Sequence, residues 1–135
     1  MRRILVVANR TLHEDYLLDA VRSRMAEGPC EFTLLVPRPY WDADTEEAAI
    51  TLELAIPVLE EAAGGRVEHL IGDPRPLDAI QDAVNVQGFD EIILSTLPAR
   101  VSRWLKLDLP SKVGGLGLPV TTVSARSRED VPADA

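Results

Sequence analysis

The chain has 135 residues, of which 46% are hydrophobic and 4% aromatic, and its formal net charge is −8. This length and composition predict a single globular domain with an aliphatic core and exclude a disordered chain. The acidic balance argues against nonspecific binding to nucleic acid and to anionic membranes, because both need a basic surface.

The first predicted element is a strand. Ile4–Ala8 is a continuous apolar run, which is typical of a central strand that is buried on both faces. Arginines followed by an apolar run are also typical of a signal peptide. This run is too short for one and ends at Asn9, so we interpret it as a strand. No apolar run approaches the length that spans a bilayer, so we expect no membrane association.

A helix is predicted to follow at once. We expect Thr11 to be its N-cap, Glu14 to complete a capping box, and Gly28 to end the helix. Glu31–Val36 is the second predicted strand. Because Cys30 is the single cysteine, an internal disulfide is excluded and a reducing, cytoplasmic setting is expected.

The middle of the chain continues the alternation of helix and strand. Asp44 is expected to cap a second helix, and Pro57 should bend that helix because it removes a backbone hydrogen bond. The turn Gly72-Asp73-Pro74 should cap and begin the third helix. The predicted elements here are a helix that ends near Ala63, a strand over Val67–Ile71 and a helix over Pro74–Val86.

The last third of the chain is its most informative part. Its loop contains no glycine that would let the backbone wrap a phosphate, although a helix N-terminus after the loop offers an anion site. Residues 126–135 form a polar tail, which leaves residues 1–125 as one domain. The predicted elements are a strand over Glu91–Ser95, a loop over Thr96–Ser102, helical residues over Arg103–Val113 and a strand over Val120–Val123.

Strands and helices that alternate with short links predict an α/β fold, in which a three-layer arrangement places helices on both faces of an open, five-stranded parallel sheet. In such sheets, ligands bind beyond the carboxyl ends of the strands, where the strand order reverses. Three predicted loops meet at this switch point: Asn9–Thr11, Pro37–Trp41 and Thr96–Ser102.

Four segments resemble the universal stress protein family in their order and spacing, over about residues 3–124. They look like the family's first strand, its Gly-Asp-Pro turn with the helix after it, the strand before its nucleotide loop, and its closing Pro-Val strand. The resemblance implies a Rossmann-like sheet with strand order 3-2-1-4-5, and often a homodimer formed through the last strand, Val120–Val123. The four segments are Arg3-Ile-Leu-Val-Val-Ala-Asn9, Ile71-Gly-Asp-Pro-Arg-Pro-Leu-Asp-Ala-Ile80, Phe89-Asp-Glu-Ile-Ile-Leu-Ser95 and Leu118-Pro-Val-Thr-Thr-Val123.

The resemblance also implies a nucleotide site, from which this chain departs. Some members of the family bind ATP through Gly-x-x-Gly and a later Gly-Ser or Gly-Thr pair. Here Ser95–Pro98 stands in place of the first glycines, Lys106–Asp108 in place of the later pair, and Asn9 in place of the usual aspartate. The site is therefore degenerate, which leaves ATP binding open but argues against the family's own way of binding it.

Arg100, Arg103 and Lys106 lie three residues apart in an otherwise acidic chain. On one helical face they would form a basic patch beside the switch point, where side chains could hold an anion that the backbone cannot. The alternative is a solvated face that pairs with nearby acids, which is the commoner outcome of such a pattern.

Five further residues complete the candidate ligand site. Asn9 fits either a contact with a ribose or base or a turn position. Thr11 fits a phosphate contact, although its role as a helix cap is favoured. Ser95 and Thr96 are hydroxyls at a strand end, and Pro37 begins an aromatic segment that either stacks on a base or packs.

The sequence argues against catalysis and against a metal site. Ser95 and Thr96 lack the base that a nucleophile needs, because His13 is expected on a helix surface. The 2 histidines and 1 cysteine are widely separated and do not form a zinc site. Asp108 is expected to cap the last short helix, where its carboxylate would occupy N–H groups that a phosphate needs.

Two hypotheses of function follow. The first is a non-enzymatic, universal-stress-protein-like regulatory or interaction module that is homodimeric and has a degenerate nucleotide site. The second is a binder of a nucleotide or another small anion at the switch-point cleft, with Asn9, Thr96, Arg100, Arg103 and Lys106 as its contacts.

Overall fold

Strands and helices alternate along the chain, as the sequence predicts. The computed structural model describes residues 1–8, 11–12, 14–38, 46–97 and 102–124, and in residues 46–48 only the backbone; the predicted tail lies outside this set. The strands are β1 (Arg2–Val7), β2 (Cys30–Pro37), β3 (Glu68–Gly72), β4 (Glu91–Thr96) and β5 (Val120–Ser124). The helices are α1 (Asp15–Glu27), α2 (Glu46–Ala63), α3 (Pro76–Gln87), α4 (Arg103–Lys106) and α5 (Leu109–Gly114).

The strands form one parallel sheet in the order β3-β2-β1-β4-β5. Ile4 of the central strand β1 lies opposite Phe32 of β2 on one side and opposite Glu91 of β4 on the other. From β1 the chain adds β2 and then β3 on one side of β1. It then crosses to the other side of β1, where it adds β4 and β5. The predicted fold class and strand order are confirmed, and the switch point lies between β1 and β4.

β1 and β4 are buried on both faces of the sheet. Ile4 and Val6 belong to a core with residues of α1 and α2, whereas Leu5 and Val7 belong to a second core with residues of α3 and α5. Every residue of Glu91–Thr96 is buried. This double burial explains the near-continuous apolar runs of the two strands and confirms the three-layer arrangement.

α1 begins later than the sequence predicts. Its first residue is Asp15, and Glu14 occupies the N-cap position without a capping hydrogen bond from its side chain. Thr11 lies in a turn before the helix, and its carbonyl accepts a hydrogen bond of 3.1 Å from Glu14 N–H. The predicted capping box is therefore wrong, because the Thr11 hydroxyl bonds to Ser95 of β4 instead.

The turn before α3 also differs from its prediction. The helix begins at Pro76, and Arg75 rather than Asp73 occupies the N-cap position. The Asp73 carboxylate accepts a hydrogen bond of 2.9 Å from Arg75 N–H, and this bond lowers the pKa of Asp73 below its usual value. Asp73 therefore stabilises the turn and not the helix terminus.

α2 is apolar on more than its inward face. Leu52 is buried against the sheet, and Pro57 lies inside the helix, as predicted. Ile50 and Leu54, by contrast, are exposed. None of the helices in the described ranges combines the length and apolar character needed to cross a bilayer. The predicted cap of α2, Asp44, lies outside the described residues.

The predicted helix over Arg103–Val113 is two short helices. Asp108 separates them in the left-handed region, with φ 56° and ψ 40°, a conformation that aspartate tolerates better than most residues. Asp108 occupies the N-cap position of α5, as predicted, but its side chain makes no capping hydrogen bond and is exposed. The expectation that its carboxylate blocks the helix N–H groups is wrong.

β3 and α3 approach closely at Gly72. A methyl group on Gly72 would lie 2.7 Å from Ala79 Cβ and 3.0 Å from Leu35 Cδ1, which is closer than carbon atoms pack. We expect Gly72→Ala to lower the free energy of unfolding, measured by urea denaturation, by about 1–3 kcal/mol. Gly114→Ala is the control, since nothing lies within 4 Å of its added methyl. Equal losses in the two variants would contradict this packing.

Candidate functional site

A pair of hydroxyls joins β4 to the turn after β1, where the strand order reverses. Thr11 Oγ1 and Ser95 Oγ lie 2.6 Å apart, and each residue is only 1% exposed. Ser95 shares a sheet face with Ile93, which belongs to the core formed with α1 and α2. Two of the predicted site residues are thus in direct contact, and each gives the other a buried hydrogen-bond partner.

Thr96 follows Ser95 but faces the other side of the sheet. Side chains alternate along β4, so Thr96 shares a face with Leu94, in the core formed with α3 and α5. The Thr96 carbonyl accepts a hydrogen bond of 2.9 Å from the Tyr16 hydroxyl of α1. The Thr96 hydroxyl is buried and has no hydrogen-bond partner among the described residues. A buried hydroxyl that stays unpaired costs about 1–3 kcal/mol, so the Thr96 hydroxyl calls for a partner, which is a water molecule, a residue outside the described ranges or a ligand.

α4 carries two of the predicted cations. Arg103 and Lys106 are its first and last residues, one helical turn apart, and both are exposed. Within the described part of the chain, neither lies within ion-pair distance of a carboxylate. The alternative of a face that pairs with nearby acids stays a prediction, because Arg100 and the residues after Ser124 lie outside the described part of the chain.

The N-terminus of α4 is already capped. Ser102 Oγ accepts a hydrogen bond of 3.2 Å from Leu105 N–H, and Ser102 is buried. One of the helix N–H groups that were predicted to be open to an anion is thus occupied by Ser102. Because α4 has only 4 residues, its dipole is also small. An anion bound here would depend on side chains.

Pro37 lies apart from these residues. It ends β2, which is two strands away from β4, so the ends of the two strands are separated by about 10 Å. The Pro37 ring is buried, and Arg38 N–H donates a hydrogen bond of 3.0 Å to the Gly72 carbonyl. Asn9 and Arg100 lie outside the described residues, and their predicted contacts stay predictions.

A polar recess of about 410 Å³ lies at the opposite edge of the sheet, at the amino ends of the strands. There the buried Glu91 accepts a hydrogen bond of 2.8 Å from Arg24 and one of 3.4 Å from Arg2. Arg24 also donates a hydrogen bond of 3.0 Å to the Thr121 hydroxyl. Because both guanidinium groups are engaged by protein side chains, we assign this cluster a structural role: it fastens α1 and β5 to β4.

Sequence reasoning missed Tyr16, Ser102 and Glu91. Ser102 carries a usable signal, because a serine directly before a helical segment is a preferred N-cap. Tyr16 and Glu91 carry no such signal. Their partners are distant along the chain, and a polar residue at the start of a helix or strand does not indicate what it will meet across the sheet.

Solved structures with this architecture include universal stress proteins. The hypothetical protein MJ0577 superimposes with a TM-score of 0.72 at 20% identity, over 93% of this chain and 97% of that chain. A universal stress protein from Archaeoglobus fulgidus in complex with dAMP gives a TM-score of 0.64 at 16% identity, over 90% and 96% of the two chains. A universal stress protein in complex with cAMP gives 0.64 at 15% identity, over 93% and 100%.

This chain has the universal stress protein fold. The resemblance carried by its four sequence segments is confirmed at the level of the architecture, over nearly the whole of each chain compared. No protein-family profile and no curated protein matches the sequence.

The contact between Thr11 and Ser95 implies that the two residues are energetically coupled. Thr11→Val keeps the side-chain shape but leaves the Ser95 hydroxyl buried and unpaired, so the free energy of unfolding should fall by about 1–3 kcal/mol. Ser95→Ala should cost a similar amount, and the double variant clearly less than the sum of the two. Urea denaturation of the four proteins measures this double-mutant cycle. Additive losses would show that the hydroxyls do not bond.

Proposed function

We propose that this chain is a non-enzymatic binding module of the universal stress protein type, and that its switch-point cleft takes a nucleotide or a closely related anion. The observation that carries the proposal is the Thr96 hydroxyl, which is buried at the end of β4 and lacks a partner among the described residues. A ligand atom that bonds to this hydroxyl would offset its desolvation. The great majority of buried polar groups are paired, and a bound ligand is one of the partners that would account for this hydroxyl.

Charge and structural likeness support the class of ligand. Arg103 and Lys106 are exposed on α4 in a chain of net charge −8, and they attract an anion locally. Two structural neighbours are universal stress proteins in complex with dAMP and with cAMP. Since the loop after β4 lacks glycines, we propose that side chains hold the phosphate, with Asn9 and Arg100 as further contacts.

The hydroxyl pair supports binding rather than catalysis. A serine nucleophile needs a base within hydrogen-bond reach. Ser95 Oγ is bonded instead to Thr11 Oγ1, and in the described ranges no histidine or carboxylate is bonded to it. We therefore propose a regulatory or interaction role, in which the ligand changes what the module binds or how stable it is.

Substitution of Thr96 separates the stability of the free protein from ligand binding. Thr96→Val removes the unpaired hydroxyl, so we expect the free protein to gain about 1 kcal/mol in free energy of unfolding. The same variant should weaken ligand binding by about tenfold, so the stabilisation by ligand should fall from about 2.7 kcal/mol in the wild type, at about 100-fold excess over Kd, to about 1.4 kcal/mol. Calorimetric titration and thermal unfolding with ATP, dAMP and cAMP, each with and without magnesium, measure both effects. Thr122→Val, at an exposed position of β5, is the control.

Two paired variants test the phosphate contact. Arg103→Ala/Lys106→Ala should weaken nucleotide binding by about tenfold or more. Arg22→Ala/Arg66→Ala removes the same charge from exposed positions elsewhere, and should change the affinity by no more than about twofold. Equal losses would assign the effect to net charge alone. The absence of binding heat with all the nucleotides at millimolar concentration would overturn the proposed ligand class.

We further propose that the module is a cytoplasmic homodimer formed through β5. β5 is an edge of the described sheet. Ile92 N–H donates a hydrogen bond of 2.9 Å to the Pro119 carbonyl, so in this register Thr121 and Val123 direct their backbone groups to β4, and Thr122 directs its own to the open edge. A second copy can pair with those groups. The cytoplasmic setting rests on the single cysteine.

A proline at the open edge tests the dimer. Thr122→Pro removes an outward N–H and leaves the hydrogen bonds to β4 intact, as proline does on edge strands, so the variant should be a monomer. Sedimentation equilibrium measures the molar mass, and Thr122→Val, which keeps the N–H, should stay dimeric. A wild type that is monomeric at high micromolar concentration, or a dimeric proline variant, would contradict this interface.

A further inference from the structure

α2 carries a second apolar surface on the side that faces away from the sheet. Ile50, Leu54 and Val58 are 59%, 73% and 36% exposed. Residues four apart lie on the same face of a helix, so these three form one apolar stripe about 12 Å long. This α2 stripe is distinct from the inward face of the helix, where Leu52 and Leu59 are buried.

The surroundings of the α2 stripe on the helix are acidic. α2 contains 5 glutamates and no lysine or arginine in its sequence EEAAITLELAIPVLEEAA. Glu53 lies beside Leu54, and Glu61 follows Val58 on the same helix face by one turn. Both carboxylates are exposed, and no cation pairs with either among the residues that the structure describes. The stripe is thus an apolar surface bordered by uncompensated negative charge.

We propose that the α2 stripe binds a basic amphipathic helix of another protein. Aliphatic side chains of that helix would cover Ile50 and Leu54, and its lysines or arginines would meet Glu53 and Glu61. Adjacent exposed aliphatic residues with a polar rim are characteristic of interaction sites. Since the stripe is short, the contact area is small and the interaction should be weak and reversible.

A second copy of this chain fits the α2 stripe poorly. A two-fold contact centred on Leu54 would place Ile50 against Val58 of the second copy. The acidic ends of the two helices would then lie against each other, and their like charges would oppose the contact. The charge of the rim therefore favours a basic partner over self-association. The inference is independent of the ligand and dimer proposals, which concern β4, α4 and β5.

A designed peptide tests the proposal. The probe is a fluorescent lysine–leucine peptide whose leucines recur at helical spacing, and its control is a scrambled peptide of the same composition and charge. Fluorescence anisotropy with the full chain measures the affinity of each peptide. We expect the amphipathic peptide to bind about tenfold more tightly than the scrambled one, and its affinity to fall at high salt.

Variants of the stripe separate apolar contact from charge. Leu54→Ser should weaken binding of the amphipathic peptide by about tenfold, because it removes the centre of the stripe. Val86→Ser is the matched control: Val86 is 82% exposed on α3, and its replacement should change the affinity by no more than about twofold. Glu53→Gln/Glu61→Gln should lower the affinity and flatten its salt dependence.

Three outcomes would overturn the proposal. Equal binding of the two peptides would mean that net charge alone attracts them. A Leu54→Ser variant that binds the amphipathic peptide as tightly as the wild type would exclude the stripe. Self-association that is lost in Leu54→Ser but kept in Thr122→Pro would assign the stripe to a second copy of this chain.

Discussion

The structure depends on the burial of β1 and β4 on both faces of the sheet. Ile4 and Leu5 have no exposed surface, and neither has any residue of Ile92–Leu94. Because side chains alternate along a strand, each of these strands needs an apolar layer on either side, which α1 with α2 and α3 with α5 supply. The adjacency of β1 and β4 also brings Thr11 to Ser95. The core and the candidate cleft therefore follow from a single strand pairing.

Double burial also explains how much of the molecule the sequence could predict. An apolar run such as Ile4–Ala8 is a local signal, and it is sufficient to order the strands and helices. The candidate site depends on contacts that form only across the sheet. Thr11 satisfies the local rules for an N-cap, yet its hydroxyl forms a hydrogen bond with the Ser95 hydroxyl instead. A local sequence pattern cannot predict this bond, because Ser95 is distant along the chain. The Thr96 hydroxyl, which has no hydrogen-bond partner among the described residues, could not be predicted from the sequence for the same reason.

The fold and the ligand site respond differently to sequence change. The architecture is shared with proteins at 15–20% identity, because a core accepts exchanges among aliphatic residues of similar volume. A phosphate loop accepts far fewer, since a backbone that wraps an anion needs glycine at particular positions. Ser95–Pro98 retains the strand end but not those glycines. The scaffold is thus retained without the glycines of a backbone phosphate loop, and the proposed anion site relies on side chains instead.

Thr96 shows why a side chain that is kept for ligand binding would lower the stability of the ligand-free protein. A small domain is stable by only about 5–15 kcal/mol, so a buried hydroxyl without a partner is a sizeable unfavourable contribution. A valine would fill the same space at the end of β4 without this desolvation. The threonine is therefore hard to explain by packing, whereas a group that bonds to its hydroxyl turns the same oxygen into a stabilising contact. Under the proposed function, stability of the free chain and affinity for the ligand are opposed at this residue, as is usual for groups in binding sites.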